Sequence, residues 1–306
     1  MNSATTEAQM PSETPHKAGF VSIIGKPNAG KSTLMNRLVG ERISIITSKA
    51  QTTRHRIFGI VSGTDFQIVY SDTPGVIQPR YELQKSMMRF VHASLEDADC
   101  IVLVTDIFEE YDETDVLTKI AHSELPIILL INKIDKAKEN VVETKIAYWK
   151  DKLPEATILP ISALEGTNVE QVFDLLLQHM PVHPAYFDKE ELTDKSERFF
   201  ASEIVREKIM ELYKQEVPYS SEVVVTEFKE RDDMIVIHAE IYVERQTQRA
   251  IIIGDGGAAI KKLGIKSRET LEQFFGKKVF LETHVKVEPD WRSKPHKLKY
   301  FGYGGN

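Results

Sequence analysis

The order of apolar and polar positions splits the 306-residue chain into two differently patterned parts. In the first, apolar runs at 20–24, 100–105, 127–131 and 157–161 and an alternating run at 66–70 read as strands. Helix-period stretches at 33–38 and 168–178 lie between and after them. Strands that alternate with helices predict an α/β domain with a mostly parallel sheet. In the second part, 198–212 has helical period and 222–226 and 234–243 alternate as strands. An apolar run at 250–253, helical stretches at 258–263 and 268–275, and a third strand at 279–287 follow. That α-β-β-α-α-β order predicts a separate α+β domain. His179, Met180, Pro181, Val182, His183 and Pro184 interrupt the helix at 168–178 and form a short, stiff connector.

The sharpest chemical signal sits at the end of the first strand. Gly25, Lys26, Pro27, Asn28, Ala29, Gly30, Lys31 and Ser32 fit G-x-x-x-x-G-K-S/T, and Thr33 opens the helix-like stretch behind them. Glycines at these positions let backbone N–H groups turn inward around a phosphate at a helix N-terminus. Lys31 would reach the β- and γ-phosphates, and the Ser32 hydroxyl would ligate Mg²⁺. A nucleoside triphosphate is the expected ligand.

Three further signals choose the base, each at the C-terminal end of an expected strand, where open α/β sheets bind ligands. Asp72, Thr73, Pro74 and Gly75 follow the run at 66–70. The aspartate can hold the Mg²⁺ shell, and the Gly75 N–H can approach a γ-phosphate. Asn132, Lys133, Ile134 and Asp135 end the run at 127–131. The Asp135 carboxylate can accept from guanine N1–H and N2–H₂, and adenine offers no such pair. The Lys133 stem can cover the base. Ser162, Ala163 and Leu164 follow 157–161, where their backbone can meet guanine O6. The ordered set resembles the nucleotide motifs of the Ras-like GTPase superfamily, which implies a GTPase with GTP or GDP and Mg²⁺ as ligands.

Between the first two motifs the chain must supply a group that senses the γ-phosphate. Thr47, Ser48, Thr52 and Thr53 are within plausible reach, and Thr53 is favoured over Thr52 because Thr53-Arg54 resembles the switch motif of bacterial assembly GTPases. Ligation of Mg²⁺ by Thr53 would make 43–56 an order–disorder switch. Ras-like proteins carry a water-orienting glutamine after D-x-x-G; here the position is Val76, so hydrolysis should be slow or rely on another group. Asn28 has two readings. Related GTPases use an asparagine here to hold K⁺ against the phosphates; alternatively Asn28 merely tolerates an unusual loop dihedral.

Composition adds limits. The single cysteine, Cys100, lies in an apolar run and excludes an internal disulfide framework. No apolar run nears the ~20 residues of a membrane-spanning helix. Nine scattered histidines argue against a metal hydrolase. The net charge of −7 is unevenly spread: from Arg245 onward 13 Lys/Arg face 6 Asp/Glu, and before it 26 face 40. A basic C-terminal part on an acidic chain suggests a polyanionic partner.

Gly254, Asp255, Gly256 and Gly257 join two helical segments within that basic part. The Gly254-x-x-Gly257 turn, inside the α-β-β-α-α-β order, resembles the clamp of a type II KH domain, which grips RNA phosphates with its backbone. Asp255 would repel phosphate, so Lys261, Lys262 and Lys266 would have to compensate. The stretch from Trp291 through Tyr303 interleaves basic and aromatic side chains, Arg292 among them. It can contact RNA or dock its aromatics on the domain's sheet, and both readings stand.

A Ras-like GTPase domain followed by a type II KH domain, with Gln51-Thr52-Thr53-Arg54-His55 between the first two motifs, resembles the bacterial Era GTPase family over nearly the whole chain. The resemblance implies a GTPase that recognises 16S ribosomal RNA near its 3′ end and assists assembly of the 30S subunit. It also implies a cytoplasmic monomer with peripheral association at the inner membrane. The expected divisions are a disordered tail over 1–17, a GTPase domain over 18–180, a linker over 181–196, the KH domain over 197–293 and a basic, aromatic tail over 294–306. Lys31, Thr53, Asn28 and Gly75 are the expected catalytic set; Ser32, Thr53 and Asp72 the metal set. Gly254, Gly257, Lys261, Lys262, Lys266 and Arg292 are the expected RNA contacts. Val76 keeps open a second reading, an RNA-binding module with GTP as a structural ligand.

Overall fold

A computed structural model describes residues 15–110 and 115–304. The first domain is built from β1 (Lys17–Ile24), α1 (Lys31–Val39), β2 (Ile57–Ser62), β3 (Phe66–Asp72), α2 (Glu82–Glu96) and β4 (Cys100–Asp106). It continues with α3 (Asp115–Ala121), β5 (Ile127–Asn132), α4 (Glu139–Lys152), β6 (Thr157–Pro160) and α5 (Val169–His179). The sheet runs β2-β3-β1-β4-β5-β6. Only β2 is antiparallel to its neighbour. β4 and β5 are apolar along most of their length because helices cover both faces. Val21, Ile23, Val102 and Leu130 face the core under α1 and α5, and Ile24, Leu103 and Leu129 face the other.

The second domain comprises α6 (Glu197–Leu212), β7 (Glu222–Glu230), β8 (Met234–Val243), α7 (Gln246–Ile253), α8 (Ala258–Phe275), β9 (Lys278–Val287) and α9 (Pro295–Tyr300). Its sheet is β7-β8-β9, with β7 antiparallel and β9 parallel to β8. The expected α-β-β-α-α-β order is present, but 258–263 and 268–275 belong to one helix, α8. Gly264 does not break it: its Cα faces open space and leaves the helical hydrogen bonds intact.

One expected boundary differs, and two of the expected segments lie packed against the domains. Residues 1–14 of the expected tail lie outside the described residues, and Lys17 is strand, paired with Phe66 in β3. The linker over 181–196 is bonded to the first domain along part of its length. It runs beside the edge strand β2, where Ile60 N–H donates to the Leu192 carbonyl (2.9 Å) and Phe58 N–H to Asp194 (2.9 Å). The C-terminal segment is packed: Trp291 and Tyr303 are fully buried, with Leu298 and Phe301, against Leu83 and Met87 of α2 and Tyr242 of β8. Its aromatics therefore dock between the two domains and not on the second sheet alone. Residues 305–306 lie outside the described residues.

Candidate nucleotide-binding site

The C-terminal ends of β1, β3, β5 and β6 surround a cleft of about 370 Å³. Its phosphate side is the loop between β1 and α1. Gly30 has φ 101°, and a Cβ there would lie 2.1 Å from Asn132 Nδ2, so only glycine lets the loop pass this close. Asn132 ties the cleft together: Nδ2 donates to the Ala29 carbonyl (2.8 Å), and Oδ1 accepts from Ala163 N–H (2.9 Å). The Ala163 N–H is thus spent on fixing the loop, and Leu164, exposed at the rim, lines the cleft.

At the opposite end Asp135 lines the cleft, and its Oδ1 accepts from the Ser162 hydroxyl (2.7 Å). That bond orients the carboxylate expected to read the base. Lys133, in the left-handed region at φ 66°, is drawn to Asp106 (2.7 Å), which lays its stem along the wall. Ile134 begins a single 3₁₀ turn, 134–136.

Lys31 is buried at the start of α1 and donates to the carbonyls of Gly25 (3.0 Å) and Lys26 (2.9 Å). Burial pulls its ammonium down to about 8, opposed by Asp72 and Glu109. Phosphate would push it back toward full charge. Asp72 is buried too; burial raises its carboxyl above the usual range, against the pull of Lys31 and the Ser32 hydroxyl.

Ser32 joins the expected metal set: its hydroxyl donates to Asp72 Oδ2 (2.8 Å) and lies 2.9 Å from Thr53 Oγ1. Asp72 Oδ1 is buried without a well-formed hydrogen bond among the described residues, although the Ser44 hydroxyl and the Thr73 N–H also help to lower the carboxyl. A spare carboxylate oxygen beside two hydroxyls suits Mg²⁺ and its water shell. Thr52 faces elsewhere; its hydroxyl donates to the Lys49 carbonyl (2.6 Å) and meets Thr47 Oγ1 (2.6 Å). Thr73 anchors the next loop through the Ile23 carbonyl (2.8 Å), ahead of Pro74. Gly75 lines the cleft and packs on Pro27. Val76 turns into the core with Ile24, Met88 and Val91, so its side chain offers the cleft nothing. Asn28 has φ 64°, and its amide donates to the Ser48 carbonyl (3.1 Å).

The segment 43–56 leans on the second domain. Arg54 is fully buried and bonds the carbonyls of Ser221 (2.8 Å) and Pro218 (3.1 Å) and the Glu222 carboxylate (3.0 Å). Arg206 of α6 donates to the Thr52 carbonyl and pairs with Glu203. Burial alone would raise Glu203, yet the Arg206 guanidinium outweighs it and holds the carboxyl below its usual range. Lys49 reaches the carbonyls of Met210 and Tyr213. Glu207 pairs with Arg42 and accepts from Ile46 N–H (3.3 Å). His55 stacks on Tyr303 (4.3 Å, 15°), whose hydroxyl donates to Glu222. Of these partners only Tyr303, in the aromatic C-terminal stretch, was named from the sequence. Glu203, Arg206 and Glu207 lie on α6, which the sequence marks only as a helix.

In the second domain Gly254 and Gly257 flank the turn between α7 and α8, both at positive φ. A Cβ on Gly254 would meet Ala259 at 2.6 Å, whereas one on Gly257 meets nothing within 4 Å. Lys261 and Lys262 are exposed, and Lys261 borders a hollow of about 340 Å³ with Ile260, Ile265, Leu281 and Arg268. Arg268, on the same helix beyond Lys266, was not among the expected contacts. Lys266 pairs with Glu269 (2.8 Å). Arg292 pairs with Glu244 and lies over the Tyr81 ring (5.0 Å).

Residues 20–133 match the family described as 50S ribosome-binding GTPase, and 216–292 match the KH domain family. GTPase Era of Staphylococcus haemolyticus is 40% identical over 293 residues, 95% of this chain and 98% of its own. GTPase Era of Leuconostoc citreum is 44% identical over 296 residues, with the same coverage. The chain belongs to the Era GTPase family. It carries the family's GTPase domain and KH domain and is a GTP-hydrolysing enzyme. An Era crystal structure with MgGDPNP and nucleotides 1506–1542 of 16S ribosomal RNA superposes with TM-score 0.90 at 40% identity, covering 95% of this chain and 100% of that one. Era of Aquifex aeolicus bound to GDP and AlF₄⁻ superposes with TM-score 0.89, also at 40% identity, covering 94% and 100%. Among the described residues no helix is long and apolar enough to cross a membrane.

Proposed function

We propose that this protein is a GTP-driven switch that binds 16S ribosomal RNA near its 3′ end and assists assembly of the 30S subunit. The observation that carries this reading is that one segment, 43–56, both walls the nucleotide cleft and is bonded to the KH domain. GTP is held with its base against Asp135 and Lys133 and its phosphates in the loop from Gly25 to Thr33. Lys31 stabilises the β- and γ-phosphoryl oxygens, and Ser32, Thr53 and Asp72 hold the Mg²⁺ shell. Mg²⁺ neutralises phosphate charge as the γ-phosphoryl group leaves. The Thr53 hydroxyl is the one beside Ser32, which favours it over Thr52 as the switch threonine.

Val76 cannot order the attacking water. The Asn28 amide nitrogen donates to the Ser48 carbonyl; with that amide turned, its oxygen and the Ser48 carbonyl would be of the kind that hold K⁺, and a K⁺ bound there would supply part of the charge stabilisation. The left-handed dihedral of Asn28 fits the alternative role as well. In the KH domain the Gly254–Gly257 turn, with Lys261 and Lys262 beside it, receives RNA phosphates. Lys266 and Arg292 contribute less, because Glu269 and Glu244 already engage them. The protein acts as a cytoplasmic monomer, with peripheral association at the inner membrane.

RNA titration at fixed salt, with GDP and with a non-hydrolysable GTP analogue, tests the switch, since affinities at different ionic strengths cannot be compared. The two states should differ by roughly 5–150-fold, and RNA should shift the affinity of the GTP analogue relative to GDP by the same factor. Gly257→Asp should weaken RNA binding with less disturbance than Gly254→Asp: both positions have positive φ, where a side chain is strained, but at 257 the added Cβ meets nothing within 4 Å whereas at 254 it would strike Ala259. Equal RNA affinity in both nucleotide states would instead favour GTP as a structural ligand.

A further inference from the structure

Thr53 stands between two residues that the KH domain grips, one by its carbonyl and one by its side chain. On one side the Thr52 carbonyl accepts from Arg206. On the other, Arg54 is sunk into a basket of carbonyls from Pro218, Tyr219 and Ser221, with Glu222 as counter-ion. Arg206 and Arg54 are both fully buried, and a planar guanidinium is the side chain that can bond several carbonyls in such a basket at once. Thr53 is thus anchored through both neighbours, and its hydroxyl lies 2.9 Å from Ser32.

We propose that Arg54 and Arg206 are positioning residues for GTP hydrolysis: Arg206 holds the Thr52 carbonyl and the buried Arg54 side chain anchors the next residue, and together they keep the Thr53 hydroxyl at the metal-binding edge of the cleft. The KH domain is then a structural part of the GTPase centre and not only its output. This rests on the reading of Thr53 as the Mg²⁺-linked threonine. The prior ordering matters because a switch segment that must be fixed by the nucleotide spends binding energy on that ordering.

The test uses the full-length protein and two readouts. One is the Mg²⁺ concentration for half-maximal binding of a non-hydrolysable GTP analogue, with GDP affinity as reference. The other is hydrogen exchange of amides 43–56 without nucleotide. Arg54→Met should raise the Mg²⁺ requirement about tenfold, as loss of hydrogen bonds to a charged group warrants, and speed exchange across 43–56. GDP affinity should stay within about twofold, since GDP has no γ-phosphate for the switch to sense. Arg54→Met combined with Glu222→Gln removes the stranded counter-charge and should show the same shift, which guards against a folding defect. Thr53→Ala should raise the Mg²⁺ requirement as well, and adding Arg54→Met to it should change little further. An unchanged Mg²⁺ requirement in both Arg54 variants, or full additivity with Thr53→Ala, overturns the positioning role. An unchanged requirement in Thr53→Ala alone overturns the threonine assignment beneath it.

Discussion

The two ends of the nucleotide cleft are built by different rules. At the base end every contact is internal to the first domain: Asn132 bridges Ala29 and Ala163, and Ser162 orients Asp135. At the phosphate end the wall is a long loop held in place by α6, by the turn at 218–221 and by Tyr303. Specificity for the base is therefore a property of one domain. Readiness for hydrolysis is a property of two.

The largest effect should come from the local end. Asp135→Asn replaces an acceptor-only carboxylate with a mixed amide, and preference should move from guanine toward xanthine. Sites that hydrogen-bond their substrate reject the wrong partner by up to about 10⁴-fold. Competition among GTP, XTP and ATP measures it, and an intact GTP preference would show that the base end is not where it has been placed.

Acid should attack the other end first. Burial holds His55 down to about 4 against the pull of Glu203 and Glu222, from an ordinary value of 6.5. The unfolded chain therefore takes up the proton first, and stability present above pH 6.5 is lost as pH falls toward 4. The full loss is about 3 kcal/mol at 1.36 kcal/mol for each pH unit of displacement. Urea midpoints at pH 7, 5.5 and 4.5 would reveal it, and His55→Phe, which keeps a ring against Tyr303, should flatten the dependence. A Phe variant as acid-sensitive as the parent would place the sensitivity elsewhere.

The smallest effect belongs to the cation. Single-turnover hydrolysis in matched KCl and NaCl should favour K⁺ by about tenfold, near 1.4 kcal/mol of barrier. Asn28→Ala should erase the difference. Equal rates in the parent protein would leave Asn28 as a residue suited to a left-handed turn and nothing more.

The same contrast decides what could be read from the sequence. The base and phosphate motifs were legible because each is a short loop at the end of a strand, and its chemistry is written in consecutive residues. Thr53 could not be separated from Thr52 on that basis. Adjacent hydroxyls differ only in which way the backbone turns, and here Arg206, more than 150 positions away in the chain, holds the intervening peptide. The second domain's order was legible from period alone. The inter-domain charges were not: Glu203, Arg206 and Glu207 are buried on α6, and a buried ion pair is indistinguishable in sequence from a solvated one. The final aromatics left two readings because their partners, Leu83 and Met87, lie in a helix that no motif marks.

The linker's course beside β2 carries a consequence for how far the KH domain can travel. β2 is the outer strand of the first sheet, and a bare outer strand is a template on which another chain can add. Leu192 and Asp194 occupy its outward N–H groups at Ile60 and Phe58. Re-aiming of the KH domain that hinges beyond Asp194, in the two residues before α6 begins at Glu197, keeps that edge sealed. A wider excursion that peels the linker away would trade mobility for a sticky border, so the chain's own connector limits the swing and guards against self-association.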